Sequence, residues 1–110
     1  YGSNYHTLQD NELVVMFGSS PVETRMGGTG QGNSLVYARE KHNLRIINID
    51  PRMNDTAAGD NTEWIPIRTG TDAALAAALS YEIISNGWAD EEFLHKYCVG
   101  YDEETLPESA

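Results

Sequence analysis

The chain has 110 residues, room for one domain and not for two. Its formal net charge is −10 and its seven Lys and Arg are scattered, so it lacks the basic patch that a nucleic acid or an anionic membrane surface requires. The single cysteine, Cys98, excludes an internal disulfide or a cysteine-based metal cluster within these residues, and no apolar run approaches the roughly 20 residues of a membrane span.

Taken in order, Tyr1 to Asn11 is polar and reads as loop. Leu13-Val14-Val15-Met16-Phe17 is an apolar run stopped by Gly18, which predicts a buried strand. Ser19-Ser20-Pro21 breaks it, and the connection continues through Glu23, Thr24 and Arg25 into Gly27-Gly28-Thr29-Gly30-Gln31-Gly32. A helix follows with Leu35, Val36 and Ala38 on its inner side, ending at His42-Asn43, where Asn43 suits a left-handed exit. Ile46-Ile47-Asn48-Ile49 is a second strand, cut off at Asp50-Pro51 because proline has no N–H for the ladder and pushes its predecessor away from helix. Strand, glycine-rich loop, helix, strand is one βαβ unit with a parallel pair. Neither strand alternates polar with apolar, which predicts an α/β sheet covered on both faces.

Met53 to Asn61 is small and polar, with room for one helical turn. Glu63 to Ile67 is a short third strand that Pro66 confines to an edge. A long helix spans Asp72 to Ser85, with Thr71 as its N-cap, Asp72 in its first turn and Gly87 as its stop. Its body, AALAAALSYEII, is apolar nearly all round, and such a helix is covered all round in the mature protein. The expectation is therefore that these residues are a segment of a longer chain. A last helix begins at Asp90 and runs to about Cys98, before an irregular tail after Asp102.

Three polar loops fall at one edge of this sheet: Gly18 to Gly32, Asp50 to Asn54, and Gly70 to Asp72. The carboxyl edge of an open α/β sheet is where ligands bind. Gly30 and Asp50 are 20 residues apart, the offset at which dinucleotide-binding units place the acid that takes a ribose hydroxyl. The glycines depart from that fingerprint, because Asn33 stands where the third should be. Phosphate would need backbone N–H groups, a helix N-terminus, or Arg25 and Arg52, whereas Asp50 and Asp72 are acceptors suited to ribose hydroxyls or a guanine N1–H/N2–H pair. Turn-making by Asp50 and capping by Asp72 are the plain alternatives. His6, His42 and His95 lack metal-ligand spacing, no Ser/His/Asp order stands out, Trp64, Trp88 and Cys98 read as packing groups, and Glu91-Glu92 and Glu103-Glu104 as solvated faces.

The blocks VVMFGSSPVETRMGG, INIDPR, WIPIRTGTDAALA and ADEEFLHKYCVGYDE, in that order, resemble the dimethyl sulfoxide reductase family of molybdopterin oxidoreductases, in particular its anaerobic, membrane-associated branch and selenate-reducing relatives. The resemblance covers almost the whole chain. It implies a Rossmann-like three-layer unit of a multi-domain enzyme, holding one guanosine end of bis(molybdopterin guanine dinucleotide) with molybdenum. By position, Gly18, Ser19, Ser20, Glu23 and Thr24 would line the phosphate and pterin side. Asp50, Pro51 and Arg52 would meet ribose and guanine, and Gly70, Thr71 and Asp72 would close over the guanine. Ser20 stands where the family often has Asn. The molybdenum ligand and a [4Fe-4S] cluster are implied outside these residues. So are an iron–sulfur electron-transfer subunit, a membrane anchor subunit, an S- or N-oxide substrate, and export by the twin-arginine route to the periplasmic face of the cytoplasmic membrane. A stand-alone NAD-type unit and a non-catalytic interaction domain are the competing classes.

Overall fold

The computed structural model describes residues 5–24 and 30–107. The chain forms two compact units, Tyr1–Asp72 and Ala73–Ala110.

The first unit is α/β. Strands β1 (Leu13–Phe17), β2 (Arg45–Ile49) and β3 (Thr62–Ile65) form a parallel sheet in the order β1-β2-β3. Between β1 and β2 runs helix α1 (Gln31–His42). As expected, α1 leaves through Asn43, whose φ of 57° is the left-handed exit and whose N–H returns to the carbonyl of Ala38. Leu35 and Ala38 are buried and join Met16, Leu44 and Ile46 in the core, while Val36 is half-buried. Residues before β1 are not all loop: Tyr5–Asp10 is a 3₁₀ helix that packs on α1, and Leu8 and Val14 pack against the core.

β2 behaves as a central strand, with Ile46, Asn48 and Ile49 buried. β1 does not. Leu13, Val15 and Phe17 are 46%, 46% and 44% exposed while Met16 between them is buried, so the sheet is not covered on both faces at this strand. A continuous apolar run reports what a strand can bury; which neighbours do the burying lies beyond its own letters. β3 ends before Pro66 and is an edge strand, as the proline requires.

The second unit holds helix α2 (Asp72–Ser85), which opens at the last residue of the first unit, and helix α3 (Glu91–Tyr97). α2 has the expected bounds and stops through Gly87 at φ 68°, and none of its residues is buried. Asp90 caps α3 by accepting from the N–H of Phe93 at 3.0 Å. Trp88, expected as a packing group, is 71% exposed. The tail is less irregular than expected: Asp102 Oδ1 accepts from the N–H groups of Glu104 and Thr105 and from the Thr105 hydroxyl, closing a tight turn. Tyr101 donates to Glu91 Oε1 at 2.9 Å, so Glu91 is not merely solvated.

Candidate functional site

The parallel register puts Phe17, Ile49 and Ile65 side by side at the carboxyl ends of their strands. Gly18 N–H donates to Ile49 O at 2.9 Å and Asp50 N–H donates to Ile65 O at 3.2 Å, so the chain leaves each strand at the same rim. Gly18 turns with φ 58°, where a side chain would be strained.

Beyond Gly18 the connection folds into a compact turn in which the N–H groups of Glu23 and Thr24 both donate to Ser20 O, at 3.1 and 2.8 Å. Val22 N–H donates to Thr56 Oγ1, which also lies 3.1 Å from Ser20 Oγ. The amides of Ser19 and Ser20 take part in none of these bonds. The glycine-rich stretch with Arg25, Gly27 and Gly28 lies outside the described residues. Gly30 opens α1 in the left-handed region, φ 69°, with no side-chain cap. Gly32 shows why glycine is needed next. A Cβ there would lie 3.0 Å from Pro21 O and 3.1 Å from Val22 Cα, so the first turn of α1 rests directly on the loop. The close-packing glycine is thus Gly32, one place before the Asn33 at which the fingerprint looks for it.

Asp50 uses every polar atom it has. Its Oδ1 accepts from Arg52 N–H at 2.9 Å, the Asx-type turn that was its plain alternative. Its Oδ2 accepts from Asn54 Nδ2 at 3.1 Å, and its carbonyl accepts from Trp64 Nε1 at 2.9 Å, so Trp64 steadies the turn as well as packing. Each carboxylate oxygen keeps room for a further donor. Arg52 and Glu23 form an ion pair at 2.5 Å, and Glu23 Oε1 also accepts from Asp55 N–H at 3.1 Å. The Arg52 guanidinium, then the Asp55 amide, hold the Glu23 carboxyl below its ordinary range, and Glu23 raises Arg52 in turn.

The structure therefore brings together Gly18, Ser19, Ser20, Glu23 and Thr24 with Asp50, Pro51 and Arg52. Gly70, Thr71 and Asp72 follow β3 from the same rim, and their turn is local: Thr71 N–H and hydroxyl donate to Arg68 O, at 3.1 and 2.6 Å. That hydroxyl points back into the turn.

Three buried polar residues that patterning left as ordinary strand or loop stitch the site. Asn48 Nδ2 donates to Ser19 O at 3.2 Å, Asn54 Oδ1 accepts from Ala57 N–H at 3.0 Å, and Thr56 holds Ser20 and Val22. All three are buried, and Asn48 Oδ1 has no hydrogen-bond partner. A polar residue inside an apolar strand, Asn48 within IINI, is the one sequence signal that could have found them. Among the described residues no group of three or more His, Cys, Asp and Glu is placed to hold a metal ion.

Comparison with known proteins gives the family. Residues 1–100 match the family model described as molybdopterin oxidoreductase. The chain is 53% identical over 109 residues to the probable dimethyl sulfoxide reductase chain YnfF of Escherichia coli (strain K12), covering 99% of this chain and 14% of that protein. It is 54% identical over 109 residues to dimethyl sulfoxide reductase DmsA of the same organism, covering 99% of this chain and 13% of that one. Trimethylamine-N-oxide reductase of Haemophilus influenzae is 31% identical over 98 residues, covering 86% of this chain and 12% of that protein. The chain thus spans about one-seventh of the length of the curated relatives it matches. With a match along nearly its whole length and a parallel sheet whose loops meet at one rim, the chain belongs to the molybdopterin oxidoreductase family.

Proposed function

We propose that this chain is the cofactor-anchoring segment of a bacterial molybdenum oxidoreductase, and that its rim holds the guanosine and pyrophosphate end of bis(molybdopterin guanine dinucleotide). The observation that carries the reading is the joining of two loops, 18–24 and 50–55, into one polar surface at the carboxyl edge of a parallel sheet, next to a family match that names the pterin.

The residues fit the group. The amides of Ser19 and Ser20 and the Ser20 hydroxyl are the donors a phosphate needs on a chain of net charge −10. Asp50, with both oxygens already oriented by Arg52 N–H and Asn54, is a fixed acceptor for ribose hydroxyls. Asp72 is the acceptor for guanine N1–H and N2–H, and Gly70 and Thr71 carry it there in their turn. Arg52 spends its charge on Glu23, which leaves backbone N–H groups as the donors that loop 18–24 offers the phosphates. A bound molybdenum centre supplies the two-electron oxygen-atom chemistry; this segment binds and orients.

The full-length protein then acts on an S- or N-oxide in anaerobic respiration. It carries a [4Fe-4S] cluster beyond these residues, works with an iron–sulfur electron-transfer subunit and a membrane anchor subunit, and reaches the periplasmic face of the cytoplasmic membrane by the twin-arginine route. Among the described residues no helix is long and apolar enough to cross a membrane. The remaining domains of the same chain cover the apolar faces of α2.

Calorimetric titration of the chain with GDP and ADP tests the guanine assignment. GDP is expected to bind more tightly, and Asp72→Ala to remove the preference, because a hydrogen bond to a charged group is worth about 1.5–3 kcal/mol. Equal affinities for the two nucleotides in the unmutated chain contradict it.

A further inference from the structure

Glu23 is the acidic side chain that reaches from the loop after β1 to the loop after β2. Its two oxygens take different partners there: Oε2 accepts from Arg52 Nη2 and Oε1 from Asp55 N–H. Asp55 lies 32 residues downstream, so the pair of bonds closes a long stretch of chain. Thr56, the next residue, makes a second crossing through Ser20 Oγ and Val22 N–H. The spacing of the two loops is thus fixed at adjacent positions of one strand connection.

The resemblance puts Glu23 among the groups lining the phosphates, but its chemistry argues otherwise. An ionised carboxylate has no donor to offer a pyrophosphate and repels it. Both of its oxygens are already engaged, and its charge is matched by Arg52. We propose that Glu23 is a positioning residue of the nucleotide site: it does not touch the cofactor but braces the 18–24 loop against the 50–55 loop, acting through Arg52 and the Asp55 amide. This inference rests on the nucleotide-anchor reading.

The brace predicts a sign that direct electrostatics does not. Removing the carboxylate frees Arg52, which by charge alone strengthens attraction for an anion. If the brace matters more, removal weakens retention. The test uses the full-length enzyme carrying Glu23→Gln, Arg52→Gln or both, with guanine nucleotide released by acid measured per protein. Glu23→Gln is expected to lower that ratio roughly tenfold or more, the scale for partners that orient direct ligands. Arg52→Gln is expected to match it, and the double variant to be no lower than either, as for two members of one interaction. Glu23→Asp, which keeps the charge but shortens the reach, is expected to fall between and carries the test if Glu23→Gln does not accumulate. Unchanged or increased nucleotide content in Glu23→Gln, or additive losses in the double variant, overturns the brace. If Asp50→Ala and Asp72→Ala also retain full nucleotide, the anchor reading fails; if they lose it while Glu23→Gln does not, the brace alone fails.

Discussion

At the scale of single residues, His95 shows how much two short contacts determine. Its Nδ1 lies 2.8 Å from Glu91 O and its Nε2 2.7 Å from Asp102 Oδ2. Both partners are acceptors, so the arrangement favours the protonated form of the ring. The Glu91 carbonyl, and after it Asp102, raise its pKa above the ordinary 6.5 against the opposing pull of burial. Asp102 is driven up by burial but more than offset by the Thr105 hydroxyl and amide and by His95, and it ends below its ordinary value. The sign follows from linkage. The His95 contribution to stability is complete below the unfolded value of 6.5 and is lost as pH rises through the higher folded value. An NMR titration of the His95 ring should give a midpoint above 6.5, and Asp102→Asn should move it down; a wild-type midpoint at or below 6.5 contradicts the clamp. Asp90 offers a simpler check. Its single cap bond to Phe93 N–H predicts a loss of about 1 kcal/mol in Asp90→Ala, read by chemical denaturation, and no change contradicts the cap.

At the scale of elements, the first turn of α1 has the least tolerance. Gly32 sits with backbone atoms of Pro21 and Val22 where a Cβ would go, and backbone cannot swing aside as a side-chain tip can. Gly32→Ala should cost about 1–3 kcal/mol in denaturation midpoint, the range for overpacking a tight contact. An unchanged midpoint would show that the helix and the loop separate freely. At Gly59 a Cβ would overlap the guanidinium of Arg39, which donates to Thr56 O and Thr62 Oγ1, so Gly59→Ala should displace that side chain and cost stability as well.

The same elements show what a sequence can reveal. β2 and its Asp50-Pro51 stop, the αL exit of α1 at Asn43, the bounds of α2 and the Asp90 cap were all legible, because each is set by a local cause: β-branched residues, proline, a short polar side chain. The 3₁₀ helix at Tyr5–Asp10 was not, because so short a helix leaves no 3.6-residue apolar period. The half-open face of β1 was not, because burial depends on what a strand meets. Of the site, the rim and its carboxylate were legible from the strand ends. Asn48 stands out as a polar letter within IINI, but neither its role nor that of Thr56 was legible, because a polar letter does not name the distant partner that lets it be buried, here Ser19 and Ser20.

At the scale of the whole molecule, α2 and β1 each carry exposed apolar side chains. Leu79, Tyr81, Ile83 and Ile84 of α2 and Leu13, Val15 and Phe17 of β1 are all exposed. Apolar surface of this kind drives association in water. The 110-residue chain should self-associate with rising concentration in gel filtration, and Leu79→Glu with Ile83→Glu should reduce it. A monomer at every concentration contradicts the account. The chain by itself should turn over neither dimethyl sulfoxide nor trimethylamine N-oxide, since in the proposed reading its rim binds and does not break bonds; detectable turnover contradicts that. The central claim, that this rim anchors a guanosine, is met most directly by the guanine nucleotide and molybdenum contents of the purified full-length protein carrying Asp50→Ala and Asp72→Ala together. The account predicts a folded protein in which both fall in step. Full retention of both in that folded variant would contradict it.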